Sequence, residues 1–155
     1  MDAVHSHIVV AAEQNLVWLA WTQSDRITKW FAPVANIDAR PGGAFEIFFN
    51  PADRVYDCTV GCTFTVVEPI SRLSFTWKAP KHLAALMNQE GSLTTVAVTF
   101  EPVEGGTKVT VEHTGWGEGD AWAGARQWHV MAWSQVLASL KQALESGEGD
   151  LCCAP

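Results

Sequence analysis

Trp122, Arg126, His129, Trp133, Leu137, Leu140 and Leu144 recur at intervals of three and four along the last long segment of the chain. Those intervals place all seven on one face of a helix of about six turns. Half of that face carries two indoles, a guanidinium and an imidazole; the other half is leucine. The first group offers rigid aromatic wall, a cation able to hold a carboxylate or phosphate, and a ring able to move a proton near neutral pH. A helix that only fills a core seldom has this composition, because a buried guanidinium is kept only when paired. The stripe therefore predicts a helix whose leucine end packs on a sheet and whose tryptophan end roofs a pocket.

Arg126 then needs a partner: Glu46, Asp57, Glu112 or an acidic group on a ligand. Two other readings stay open, in which Arg126 turns to solvent at the helix edge and His129 bonds a backbone carbonyl. His113, which closes the last predicted strand, is either a hydrogen-bonded sheet histidine or part of the site. Should the pocket be catalytic, His129 and His113 are the candidates to move protons and Arg126 the candidate to steady an enolate. No nucleophile motif, phosphate loop or metal-ligand spacing accompanies them, so neither metal nor cofactor is expected.

These side chains need a scaffold, and periodicity supplies one. His5 to Val10 alternates as a strand, then Ala11 to Thr22 switches to helical spacing. Ser24 and Asp25 begin a second short helix through Ile27, Trp30 and Phe31, which Pro33 ends. Period two follows for most of the remaining chain. Val34 to Asp38 turns through Pro41, Gly42 and Gly43 into Ala44 to Phe49, and Tyr56 to Val67 reads as one strand with Cys58 and Cys62 on its inner face. Leu73, Phe75 and Trp77, then Val96, Val98 and Phe100, then Val109, Val111 and His113 complete the series. The expectation is an α+β fold: a curved seven-stranded antiparallel sheet with one apolar face, wrapped around the long C-terminal helix, with two short helices after the first strand. Ala79 to Gly91 breaks the alternation with a proline and a helical-looking His82, Leu83, Leu86 and Met87, and reads as a flexible flap at the rim.

The expected lining of the gap between sheet and helix is Phe45, Ile47, Phe64, Phe75, Trp77, Val96, Val98, Val111 and His113 from the sheet. Trp122, Arg126, His129 and Trp133 join from the helix, while Trp30, Trp116 and Trp128 are assigned to scaffold or surface. For each apolar residue, core packing is the alternative.

Size and charge bound the function. The 155 residues, 48% hydrophobic and 17% charged, suit one domain over residues 1–146 with an aperiodic, flexible tail at 147–155. With 10 Lys plus Arg against 17 Asp plus Glu, the formal charge of -7 argues against nucleic acid as a partner. The apolar run Ile8 to Ala12 is too short for a signal core or a membrane span, so a cytoplasmic protein is expected. Cys58 and Cys62, four apart on one predicted strand, would stand about 13 Å from each other, and Cys152 and Cys153 are neighbours in the tail. Free thiols are the expected state.

Two stretches, Ile27-Thr28-Lys29-Trp30-Phe31-Ala32-Pro33 and Asp38-Ala39-Arg40-Pro41-Gly42-Gly43-Ala44-Phe45, resemble the opening motifs of proteins similar to the activator of heat-shock-protein-90 ATPase. Val66-Val67-Glu68-Pro69 with Arg72-Leu73-Ser74-Phe75-Thr76-Trp77, then His113-Thr114-Gly115, then Trp133 through Leu140, follow that family's order. The resemblance implies a helix-grip, START-like fold, with an interior cavity in many members. It also implies a range of functions: lipid and hormone carriage, polyketide cyclisation and chaperone activation. The expectation drawn here is binding of a small hydrophobic or aromatic ligand, lipid- or polyketide-like. The alternatives are a cyclase or dehydratase using the cavity His and Arg, and an interaction domain with a chaperone partner; a homodimer is also open.

Overall fold

A computed structural model describes residues 1–147 of the chain. The tail expected at 147–155 therefore lies, but for its first residue, outside the described residues. Strand β1 (Val4–Val10) leads into α1 (Gln14–Thr22) and the single-turn α2 (Ser24–Ile27). The hairpin β2 (Val34–Ile37) and β3 (Phe45–Phe48) follows, then β4 (Phe64–Glu68), β5 (Arg72–Trp77), α3 (Lys81–Met87), β6 (Thr94–Val103), β7 (Gly106–Thr114) and the 27-residue α4 (Asp120–Ser146). Among the described residues no helix is long and apolar enough to cross a membrane.

All seven expected strands form, but as five plus two. The larger antiparallel sheet runs β1-β7-β6-β5-β4, and β2 pairs with β3. Isolated bridges Ala44↔Thr63 and Phe48↔Cys58 connect the two. At the junction the Phe45 N–H donates to the Cys62 carbonyl and the Phe64 N–H to the Gly43 carbonyl, both at 2.9 Å. Gly43 is required there, since a Cβ would lie 2.0 Å from the Asp38 carbonyl oxygen.

Two sequence expectations need correction. Tyr56 to Val67 is not one strand, because a bend and a turn interrupt residues 56–63 and β4 begins only at Phe64. The Thr59 hydroxyl donates to the Phe45 carbonyl at 2.9 Å and accepts the Ile47 N–H at 3.0 Å, so a side chain replaces part of the backbone ladder. Cys58 and Cys62 are buried free thiols, but the strand rise used to separate them does not apply. The helical-looking residues of the expected flap form α3. The Asn88 side chain clasps both backbone groups of Ala79, at 2.7 and 2.8 Å, and Ala84 and Met87 are buried.

The core explains most of the expected pocket lining. Phe45 stacks on Phe75 with centroids 3.7 Å apart, Phe64 meets both edge-on, and Trp21, Trp30 and Phe31 extend the cluster toward α1. Ile47, Val96, Val98 and Val111 are fully buried in the same mass.

In the turn between β4 and β5, Ile70 adopts φ 56°, the left-handed region that a β-branched residue avoids. The Gln14 amide holds the turn by donating to the carbonyls of Ile70 and Phe100, each at 2.9 Å. Left-handed backbone costs an L residue roughly 1–2 kcal/mol, and glycine recovers part of that after its own entropy loss. Ile70→Gly is expected to move the urea midpoint upward; a lower midpoint would show that the half-exposed side chain contributes more than its backbone costs.

Candidate functional site

Along the middle of α4 two tryptophans donate to two histidines. An indole N–H can only donate and a carbonyl can only accept, so these contacts settle where the imidazole protons sit. The Trp77 Nε1–H donates to His129 Nε2 at 3.1 Å, and His129 Nδ1 donates to the Ala125 carbonyl at 2.8 Å. The Trp133 Nε1–H donates to His113 Nδ1 at 3.0 Å, which leaves His113 Nε2 to donate to the Thr94 hydroxyl at 2.8 Å. The two imidazoles stand 5.0 Å apart, nearly perpendicular, and both are fully buried.

Burial, with a smaller contribution from neighbouring His129, holds His113 well below the usual histidine range. For His129 burial outweighs the opposing Ala125 carbonyl and lowers its pKa to about 4. Both rings are neutral at pH 7, and each has both nitrogens occupied. No lone pair is left to take a proton from a substrate, which removes the geometric basis for using either as a general base.

Arg126 also lies elsewhere than expected. Its Nε donates to the Asp2 carbonyl at 2.7 Å and a terminal nitrogen to the Ala3 carbonyl at 2.9 Å. Further along α4, Lys141 Nζ donates to the Val9 carbonyl at 2.9 Å, and the Glu145 carboxylate accepts the Ala11 N–H at 2.8 Å. The flank of α4 thus pins the edge strand β1 and the residues around it, covering backbone that would otherwise be open to pairing. The carboxylates considered for Arg126 are engaged or placed apart: Glu46 takes Asn36 and the Gly61 N–H, and Glu112 sits 3.7 Å from His5.

Trp122 packs by Trp116 at 6.3 Å and lies over Gly117, where a Cβ would come within 2.5 Å of its Nε1. It locks the loop leading into α4 rather than roofing a pocket.

The pocket itself opens lower on α4. A cavity of about 250 Å³ has a floor of Phe31, Trp77, Trp133 and Val136 and a rim of Phe49, Asn50, Asp57, Pro80, His82 and Trp128. The floor side chains are almost closed to water, whereas the rim groups are half-buried or exposed, so a ligand meets the rim first. Of the expected lining, Trp77 and Trp133 are there; Phe45, Ile47, Phe64, Phe75, Val98, His113, Trp122, Arg126 and His129 are not. The rim comes from the β3–β4 connection and the start of α3, segments read as strand end and flap. Among the described residues no group of three His, Cys, Asp or Glu gathers to hold a metal.

Residues 11–145 match the family described as Activator of Hsp90 ATPase homolog 1-like protein. The chain belongs to that family. Among solved structures it is similar to a Mesorhizobium loti protein, with 24% identity, 92% of this chain and 96% of that chain covered, and a TM-score of 0.72. It is similar to the Aha1 dimer from Colwellia psychrerythraea, with 24% identity, 96% and 100% covered, and a TM-score of 0.71. A protein of the dynemicin biosynthetic locus shares 23% identity over 96% of this chain but only 49% of its own, with a TM-score of 0.72. These likenesses carry the fold, the helix-grip arrangement of sheet and long helix. No match was found among curated proteins.

In this member of the Activator of Hsp90 ATPase homolog 1-like family the opening motif has a clear structural task. The Trp30 Nε1–H donates to the Ala20 carbonyl at 3.0 Å, and the Ser139 hydroxyl donates to the Trp30 carbonyl at 2.7 Å. Trp30 thereby ties α1 to α4, and the next residue, Phe31, becomes pocket floor.

Proposed function

We propose that this chain binds a small hydrophobic or aromatic molecule, in a cytoplasmic setting, in the pocket between α4, α3 and the β3–β4 connection. The observation that carries the reading is five aromatic rings from four parts of the chain, Phe31, Phe49, Trp77, and Trp128 with Trp133 on α4, around one cavity of about 250 Å³. Rings held by a scaffold bury ligand surface at little entropic cost. The volume is below the roughly 300–1,000 Å³ of pockets for drug-sized molecules, which points to a single ring or a short acyl chain.

The acidic ligand group expected from Arg126 loses its motive, because that guanidinium is spent on backbone carbonyls. An enzymatic reading through His113 and His129 is likewise unsupported by their geometry.

A thermal-shift and native mass-spectrometry screen of aromatic and short acyl compounds tests the proposal. Trp128→Ala is expected to weaken the best ligand about tenfold or more, on the order of 1.4 kcal/mol, while Arg126→Ala leaves its affinity unchanged. No stabilisation by any compound, or equal loss in Arg126→Ala, would overturn it. A second reading, an interaction domain for a chaperone or for a second copy of this chain, draws on the family description and the dimeric Colwellia relative. In that reading Trp128→Ala leaves partner capture intact.

A further inference from the structure

We infer that the pocket's ligand is a small organic cation, a tertiary or quaternary ammonium group on an apolar or aromatic frame. This deepens the ligand-binding reading above and rests on it. Aromatic faces carry the negative end of the ring quadrupole and attract a cation within about 6 Å of their centroids. Here Trp77, Trp128 and Trp133 supply the indoles, the ring type that does this best, with Phe31 and Phe49 beside them.

The ionisable groups point the same way. Asp57 is the one carboxylate that lines the cavity, and its side chain has no hydrogen bond or ion pair among the described residues. Among the described residues no lysine or arginine lines the cavity. The cations on the adjoining segments are engaged away from it: Arg54 lies 4.6 Å over the Phe48 ring, Lys81 5.3 Å over Tyr56, and Lys78 Nζ donates to the Val60 carbonyl at 2.6 Å. The remaining polar rim groups are Asn50, whose Oδ1 accepts the Ala52 N–H, and His82, whose ring packs on Trp128 at 5.2 Å.

Three ligand classes can be weighed on those groups. An anion would meet Asp57 with no fixed positive charge to offset it. A neutral ligand would desolvate an unpaired carboxylate and gain nothing for it. A cation gains the carboxylate and the ring faces together, and the formal charge of -7 draws it to the surface.

The test titrates the whole protein with phenyltrimethylammonium, with tert-butylbenzene, which has the same shape without the charge, and with 4-tert-butylbenzoate, followed by tryptophan fluorescence and indole N–H signals. The cation is expected to bind at least tenfold tighter than its neutral isostere, and the benzoate most weakly. Asp57→Asn is expected to bring cation and isostere within about threefold of each other, and Trp128→Leu to weaken the cation more than the isostere. Raising the salt concentration should weaken only the cation, a measurement on the unaltered protein that stands even if a variant folds poorly. An isostere that binds as tightly as the cation, or cation binding insensitive to salt, overturns the charge inference and leaves the pocket reading intact. Indole signals unmoved by all three probes overturn the pocket reading and this inference with it.

Discussion

Acidification from about pH 6.5 to about pH 4 is expected to cost the fold roughly 3 kcal/mol through His129 alone, with a further loss through His113. The sign follows from proton counts. Both histidines have folded pKa values below the unfolded value of 6.5, so below that pH the unfolded chain binds protons that the folded chain refuses. Stability is therefore full above about pH 6.5 and falls as the pH drops, tenfold in the folding equilibrium per unit and per histidine, until the folded pKa is reached. The carboxylates of Asp53, held low by the N–H groups of Tyr56 and Val55, and of Glu145, held low by Lys141, lose their stabilisation only below the ordinary carboxylate range. The interval from pH 6.5 to about 4.5 thus isolates the histidines. Urea midpoints across it are expected to fall steeply, and His129→Gln, which keeps an acceptor for Trp77 and a donor for Ala125 without titrating, should flatten the slope by about half. A midpoint that does not move between pH 7 and pH 5 would refute the buried, neutral histidine pair.

Trp133→Ala is expected to destabilise the protein by roughly 3–5 kcal/mol, as large-to-small changes of buried tryptophan do. The indole is 1% exposed, packs on Phe31 at 6.1 Å and Trp77 at 5.1 Å, and donates to His113. Trp133→Phe separates the two contributions, because it keeps a ring in place and removes only the donor. Leaving His113 Nδ1 buried without its hydrogen bond should cost about 1–3 kcal/mol. Equilibrium unfolding of both variants checks this. A phenylalanine variant as stable as the parent would mean the Trp133–His113 hydrogen bond contributes nothing.

Particular residues show how much of the site was legible beforehand. Helical spacing correctly put His129, Trp133, Leu137 and Leu140 on the buried face of α4. The same spacing included Trp122 and Arg126, which turn out to hold the preceding loop and the N-terminal segment. Trp128, assigned to scaffold or surface, sits on the pocket rim because α3 folds against that side of α4. The sequence offers Asp57 as a partner for Arg126 or as a carboxylate that orients a cavity histidine. Once Thr59 breaks the presumed strand, the β3–β4 connection brings Asp57 to the rim with Asn50 and Phe49.

By itself the sequence determined the fold class, the seven strands and the long helix, since alternation, helical spacing and turn residues act over a few neighbours along the chain, and the order of its motifs carried the resemblance to the family. Tertiary structure alone decided the chemistry of each polar group. Period places a side chain on a face without naming what stands opposite: Trp77 meets His129 across 52 residues, and Arg126 meets Asp2 across 124. Those pairings depend on where sheet, loop and helix converge in space. They left the histidines saturated, the arginine on backbone, and a carboxylate on the rim of an aromatic-floored cavity.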